Sequence, residues 1–344
     1  MKQSVNDDEE GVMRTTSTTT STTTSSSVSS SVSSSVSVSV SSHRSIDYLL
    51  RGQTVHTNTY VSRFATAHGS TLVRAMREDD AWRSWGNVNG KRLRKEIAEA
   101  MAACGYAQRE MDLMDEDDAR HATVAKVESA AAVAATASWM AKRVVVFDIC
   151  SGKGLTSAVC AETFGSLAVS EGCEVHMVDS DARMDVGHLR NQGRITFHCL
   201  DVYDEALDAL MARTRASDAE AIMVVVGVHL CGDLSRRAVE LWTRHGGDVL
   251  VLSPCCLVRE VRANKRRSGT FGYGLPRVAR ALDASSYDLW AKLLYAIVPT
   301  HVGDACAPVV KSMYVDGDVL GEKNRFITAR RVRQKYTKCV KCDD

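Results

Sequence analysis

Five stretches of this chain hold acids, glycines, a histidine and thiols at spacings that could do chemistry. Asp148-Ile149-Cys150-Ser151-Gly152-Lys153-Gly154 sets a carboxylate just ahead of a G-x-G turn. Asp179 closes the run Val175-His-Met-Val, and Asp201 closes Ile195-Thr-Phe-His-Cys-Leu. Further on come His229-Leu-Cys231-Gly-Asp233 and Ser253-Pro-Cys255-Cys256. The loop invites a phosphate reading first. A triphosphate cradle needs G-x-x-x-x-G-K-[ST]; here no glycine stands five residues before Gly152, and the lysine is followed by Gly154, so that reading fails.

Gly152-x-Gly154-x-x-Ser157 comes nearer to the dinucleotide fingerprint, but a pyrophosphate there would lie against the like charge of Asp148. The same acid suits a ligand that has no phosphate and carries positive groups, such as the ammonium and sulfonium of S-adenosylmethionine. Cys150, Ser151, Gly152 and Gly154 are then expected to line that ligand. Asp179 would accept from the ribose hydroxyls and Asp201 from the adenine amino group, since an ionised carboxylate only accepts. Any one acid alone could be a helix N-cap. Three acids on three successive strand ends beside one glycine turn are harder to read as caps.

These residues need elements to hold them. Short β-branched runs at Val144–Asp148, Glu174–Asp179, Ile195–Asp201, Ile222–His229 and Asp248–Ser253 read as strands, with helical patterns between them. Regular strand–helix alternation implies a doubly wound, Rossmann-like α/β sheet with its ligand crevice at the carboxyl ends of the strands. Lys311–Val315 and Asn324–Ala329 look like two further strands. A helix over Tyr287–Val298 presents Trp290, Leu293, Leu294 and Ile297 on one face, an aromatic that reads as core. Asp233 or Ser235 can cap the helix after the fourth strand. Ahead of the sheet, residues 45–142 read as a helical region, with Leu93, Ile97, Ala100, Met101 and Cys104 at helical spacing and an alanine-rich helix over Glu128–Met140. The acidic run Met111–Asp118 between them reads as a loop or helix start with a solvated face.

The order of first acid, glycine loop and two later acids resembles the class I S-adenosylmethionine-dependent methyltransferases over about Arg143 to Arg330, with residues 143–332 as the domain. That likeness implies a methyltransferase enzyme. The usual motif is acid-x-Gly-x-Gly-x-Gly, and here Cys150 stands in place of the first glycine. The G-K-G loop, the H-x-C-G-D-L stretch, the later P-C-C and Lys323-Asn324-Arg325 resemble a group of eukaryotic methyltransferase-domain proteins, and more distantly the tRNA ribose methyltransferases that act on the acceptor stem. Leu257-Val258-Arg259 follows Cys256 where the tRNA enzymes carry histidines, and their Cys-rich N-terminal zinc finger is absent.

The fourth and fifth strand ends flank the substrate side of the cofactor, which makes His229, Cys231, Asp233, Cys255 and Cys256 the catalytic candidates. Three readings stand. His229 is a general base, with Asp233 orienting it, that takes a proton from a hydroxyl or ring nitrogen. Alternatively a cysteine thiolate adds to the acceptor, an arrangement that resembles the RNA cytosine-C5 methyltransferases without their full motifs. The third is a metal held by the Cys and His set; adjacent cysteines are a poor tetrahedral spacing by themselves, and no metal ligand is assigned. Packing of buried thiols is the bland alternative to all three.

RNA is the expected acceptor, through Arg259, Arg262, Lys265, Arg266 and Arg267 with Phe271 and Tyr273 beside them for stacking; a solvated loop would look the same. A protein or small-molecule acceptor, and a cofactor-binding scaffold without turnover, are the rival functions. The formal net charge of +1 rules out a uniformly basic coat, so any RNA surface must be local. The eleven cysteines are odd in number and mostly sit in apolar patterns, which suits reduced thiols inside the cell, in cytoplasm or nucleus. No run has the length of a membrane span, and Asp7 to Glu10 stand where a targeting peptide would be basic. Residues 1–44, almost pure Ser and Thr from Thr15, are expected to be disordered; 333–344 form a basic tail whose single pair Cys339/Cys342 lacks a second pair for zinc.

Overall fold

The computed structural model describes residues 44–50, 58–82, 85, 89–126, 138–168, 172–189, 192–257, 274–303, 307–319, 321 and 324–333. The Ser/Thr tail, most of the expected alanine-rich helix, the Arg259–Arg267 run, Lys323 and the Cys339/Cys342 pair lie outside them. All described residues belong to one unit, Ser42–Asp344.

Eight strands form one sheet: β1 Val144–Ile149, β2 Cys173–Asp179, β3 Ile195–Cys199, β4 Ile222–Cys231, β5 Val249–Cys256, β6 His301–Val302, β7 Ala307–Val315 and β8 Arg325–Arg331. Their order is β3-β2-β1-β4-β5-β8-β7-β6. The first five are parallel, and β8 enters antiparallel between β5 and β7. The doubly wound sheet read from the sequence is therefore present. Alternation along β1 shows why it is covered on both faces. Val144 and Val146 join one core, Val145, Phe147 and Ile149 the other, and all are fully buried.

Strand bounds move where local bonding overrides the pattern. β3 stops at Cys199, short of Asp201, because Leu200 N–H already turns back to the Asp179 and His198 carbonyls. β4 and β5 run further than expected, past His229 and Ser253, and take Cys231, Cys255 and Cys256 into the sheet. The two-residue β6, paired with the start of β7, has no sequence signal of its own.

The helices are α1 Arg44–Leu50, α2 Thr59–Ala67, α3 Arg74–Glu78, α4 Gly90–Lys126, α5 Leu155–Leu167, α6 Glu205–Ser217, α7 Leu234–Arg244, α8 Leu275–Ala281 and α9 Ser286–Ile297. On α9, Trp290 is core, as its spacing implied. No helix among the described residues is long and apolar enough to cross a membrane. The 37-residue α4 corrects the reading of Met111–Asp118 as a loop or helix start. That run is helix interior with a mixed face: Glu116 is exposed, while Asp112 takes Trp139 Nε1–H at 2.7 Å and the half-buried Asp115 takes the Trp139 N–H at 3.0 Å. The N-terminal helices share one core with the sheet, in which Ile46, Phe64, Leu93 and Ile97 join Val146, Val224 and Phe326.

Two buried charge clusters tie the last strand down. Glu110, 1% exposed, accepts from Thr328 Oγ1 at 2.7 Å and from Arg330 at 3.1 Å, while Asp117 takes the other edge of the Arg330 guanidinium. Asp248, just ahead of β5, is fully buried and lies 2.6 Å from Arg215, 3.0 Å from Arg333 and 3.6 Å from Arg331. Burial alone would raise its pKa, but the three guanidiniums outweigh that and hold it below the usual carboxylate range. Breaking a buried pair by removing one partner costs about 3–5 kcal/mol, since the other charge is stranded. Glu110→Ala should therefore lose about that much in urea denaturation, far more than removal of the exposed pair partner Glu116, and equal midpoints for the two variants would refute the cluster's role.

Candidate cofactor and catalytic site

The carboxyl ends of β1, β4 and β5 enclose a cavity of about 460 Å3, within the range of small-molecule sites. Its lining includes Asp148, Cys150, Ser151 and Gly152 from the loop, His229 and Cys231 from β4, and Cys255 from β5. Most of the residues singled out by type and spacing thus meet in one place. Asp179, Asp201, Gly154, Asp233 and Cys256 stand behind this wall rather than in it.

The loop takes its shape from left-handed backbone. Cys150, Gly152 and Gly154 have φ of 56°, 54° and 78°. For Cys150 this is an unfavourable conformation for a residue with a Cβ, and it is the position where the resembled motif has glycine. A Cβ on Gly154 would come within 2.6 Å of Met177 Sδ, so a glycine there lets the loop close on β2. Asp179 serves the same closure by accepting the Gly152 N–H at 3.0 Å and the Asp181 N–H at 3.0 Å. Asp201 accepts the Tyr203 N–H at 3.0 Å. Asp179 thus braces the loop, and Asp201 the turn after β3.

Asp148 is 1% exposed and accepts from Ser157 Oγ at 2.6 Å. Burial pushes its pKa up to about 7, against the opposing pull of the Ser157 bonds. A buried acid poised to ionise suits a cationic ligand. Lys153, which also lines the cavity, is turned over the Trp85 ring, 5.8 Å from its centre.

His229, which lines the same cavity, has φ of 65°, again left-handed. Strand alternation puts Val224, Val226 and Val228 in the core on the α4 side and would turn residue 229 away from it. The left-handed turn restores His229 to the α4 side, where Nε2 lies 2.8 Å from Glu99 Oε2 and 3.8 Å from Glu96 Oε2. A bulge follows, with register slips on either side of Leu230, and Gly227 makes room for it: a Cβ there would meet Leu230 Cδ1 at 2.3 Å.

Asp233 was expected to orient His229 or cap α7, and does neither. Its carboxylate is occupied by Arg236 at 2.8 Å and by the Tyr203 hydroxyl at 2.9 Å, and no side-chain cap bond forms. Ser235 bonds instead to the Leu230 carbonyl at 3.2 Å. The acid beside His229 is Glu99, which sequence reading missed. A signal existed: Glu99 interrupts the apolar run Ile97-Ala-Glu-Ala-Met, yet is 2% exposed and bridged to Lys95 at 2.7 Å.

The thiols converge as well, with Cys231 Sγ 3.3 Å from Cys255 Sγ. The neighbouring sulfur and then burial push the Cys255 thiol far above its usual range, which works against a thiolate nucleophile there. Cys150 is held up to about 12, chiefly by burial, and stays a neutral wall group.

Residues 120–263, which carry β1 to β5 and the loop, match a family model described as a methyltransferase domain. No curated protein sequence matches the chain. Among solved structures, the plantazolicin methyltransferase BpumL in complex with SAH aligns at TM-score 0.31 and 11% identity over 71% of this chain and 97% of that one. The CurJ carbon methyltransferase aligns at 0.30 and 11% over 56% of this chain, which spans 50% of the length of CurJ. An O-methyltransferase family protein from Burkholderia thailandensis aligns at 0.27 and 13%, over 78% and 70%. Scores this low say nothing about an acceptor. The matched segment is thus similar to a methyltransferase domain, a class of domain whose cofactor is S-adenosylmethionine.

Asp148 gives a pH signature. Its folded pKa of about 7 lies above the unfolded value, so the ligand-free protein is relatively favoured below about pH 4 and loses that contribution as pH rises through about 7. A cationic ligand favours the ionised form. S-adenosylmethionine should therefore bind more tightly as pH rises from about 5.5 to about 7.5, releasing a proton near pH 6.5. Calorimetry in buffers of different ionisation heat measures this. Asp148→Asn should abolish the release, and a wild-type affinity flat across that range would sink the assignment.

Proposed function

We propose that the protein is an S-adenosylmethionine-dependent methyltransferase in which His229, positioned by Glu99, removes a proton from a hydroxyl or ring-nitrogen acceptor. The observation that carries this reading is the 2.8 Å approach of His229 Nε2 to Glu99 Oε2 in the cavity that the glycine loop also lines, where β4 bends out of its regular course. When bound, S-adenosylmethionine supplies an electrophilic methyl group on a sulfonium. Asp148, Cys150, Ser151 and Gly152 hold and orient that ligand, with Asp179 and Asp201 bracing the loop and the turn after β3. His229 accepts the proton that the acceptor must shed as it becomes a methyl ether or amine, and the Glu99 carboxylate stabilises the imidazolium so formed.

RNA is the acceptor class in this proposal. Its support is the resemblance of the H-x-C-G-D-L and P-C-C stretches and the run Arg259, Arg262, Lys265, Arg266 and Arg267, which leaves the end of β5 beside the cavity in sequence order. A thiolate mechanism at Cys255 is disfavoured by the neighbouring sulfur that keeps it protonated.

Transfer of labelled methyl groups to RNA, protein and small-molecule fractions tests the class. On the acceptor found, His229→Ala should lower kcat by about 100- to 10,000-fold, the usual worth of a positioned base, with cofactor affinity within a few-fold of wild type. Glu99→Gln should lower kcat less and leave KM nearly unchanged. Full activity in His229→Ala would remove the base, and label appearing only in protein would remove the RNA acceptor.

A further inference from the structure

Neighbours on a strand point to opposite faces, so Cys255 and Cys256 in β5 ought to hold their sulfurs apart. Instead they lie 3.5 Å from each other, and Cys231 Sγ from β4 lies 3.3 Å from Cys255 Sγ. All three sulfurs fall within 4.8 Å of one another. The cause is the irregular end of the β4–β5 pair. Pairing runs regularly to Val228–Ser253, slips to Leu230–Pro254 and slips again to Cys231–Cys256. The Gly232 N–H then fastens to the Cys256 carbonyl at 3.0 Å. Bulges of this kind re-aim side chains beside active sites, and here one gathers thiols that regular strands would keep apart.

We propose that Cys231, Cys255 and Cys256 are the three protein ligands of a zinc ion whose fourth coordination position opens into the cofactor cavity. Zinc takes thiolates at about 2.3 Å in a tetrahedron, which sets sulfurs roughly 3.8 Å apart, so the observed cluster need widen only by a few tenths of an ångström. Three protein ligands with one exchangeable position is the pattern of zinc sites that take part in chemistry rather than only in folding. Cys231 is exposed and the other two half-buried, which gives the ion a way in, and Cys231 and Cys255 line the cavity. His229 is not the fourth ligand, since its Nε2 faces the acids of α4.

Binding is acid–base chemistry without electron transfer. Three S–H groups lose their protons to solvent, three thiolates bind one divalent cation, and the site keeps a single negative charge. That charge borders the cavity that Asp148 also lines, and adds to its complementarity for a cationic ligand. In the absence of acceptor, water completes the tetrahedron.

The test uses the full chain, purified under reducing conditions and stripped of metal, and does not depend on finding an acceptor. Titration should give one zinc per chain with proton release. Cobalt in its place should show thiolate-to-metal charge transfer and the intense visible bands of a tetrahedral site. Cys231→Ser, Cys255→Ser and Cys256→Ser should each weaken zinc by at least about 10- to 100-fold, the loss usual for disturbing even a ligand's support. The exposed Cys199→Ser should bind as wild type. The wild-type cobalt spectrum keeps the proposal exposed should a variant fail to fold. No uptake by the folded, reduced protein would overturn it, as would uptake lost only in Cys339→Ser or Cys342→Ser, or a Cys231–Cys255 disulfide in the isolated chain whose reduced form takes no metal.

Discussion

Buried carboxylates on one helix set the position of everything around the site. Glu99 and Glu110 of α4 are both almost wholly out of water, where an unpaired charge is not tolerated. They stand eleven residues apart, about three turns, and so share one stripe of the helix. One meets His229 at the end of β4, the other meets Arg330 and Thr328 in β8. A shift of the helix by one residue would rotate both acids away together. The catalytic geometry and the seating of the last strand are therefore one constraint, met by one register.

Strain is concentrated where that register delivers its side chains. Among the described residues Cys150, His229 and Asp283 are the non-glycine positions with left-handed φ, and two of the three line the same cavity. Such conformations persist only where the surroundings over-determine them. Here the surroundings are β1 and β4, adjacent parallel strands at the centre of the sheet, fully buried along Val144–Phe147 and Ile222–Val226. The rigid middle of the sheet holds its own irregular ends.

The parallel strands and the loop were legible because each rests on a local rule: β-branched runs bounded by turns, glycine where φ is positive, an acid at a strand end. Even Cys150 was visible as a departure, though not that it would adopt the glycine's conformation. What stayed hidden depends on contacts between distant segments. Nothing near His229 in sequence points to Glu99, and Asp233, four residues away, was the natural but mistaken partner because Arg236 and Tyr203 are nearer to it in space. The convergence of Cys255 and Cys256 was unreadable for the same reason, since it comes from a pairing irregularity between two strands and neither strand alone encodes it. That Asp115 and Asp117 of the run Met111–Asp118 are engaged was hidden because their partners, Trp139 and Arg330, come later in the chain.

The arrangement of Asp248 bears on the order in which the molecule can be made. This buried carboxylate draws on Arg331 and Arg333 as well as Arg215, and Glu110 on Arg330, so the partner sets of both acids are completed only by residues in the last strand or just after it. During synthesis the centre of the sheet emerges from the ribosome well before those residues, and domains generally fold as units. Until β8 arrives, the β5 edge is unpaired and two acids have no complete set of partners. Insertion of the final strand between β5 and β7 therefore both covers that edge and completes the partners of the two acids.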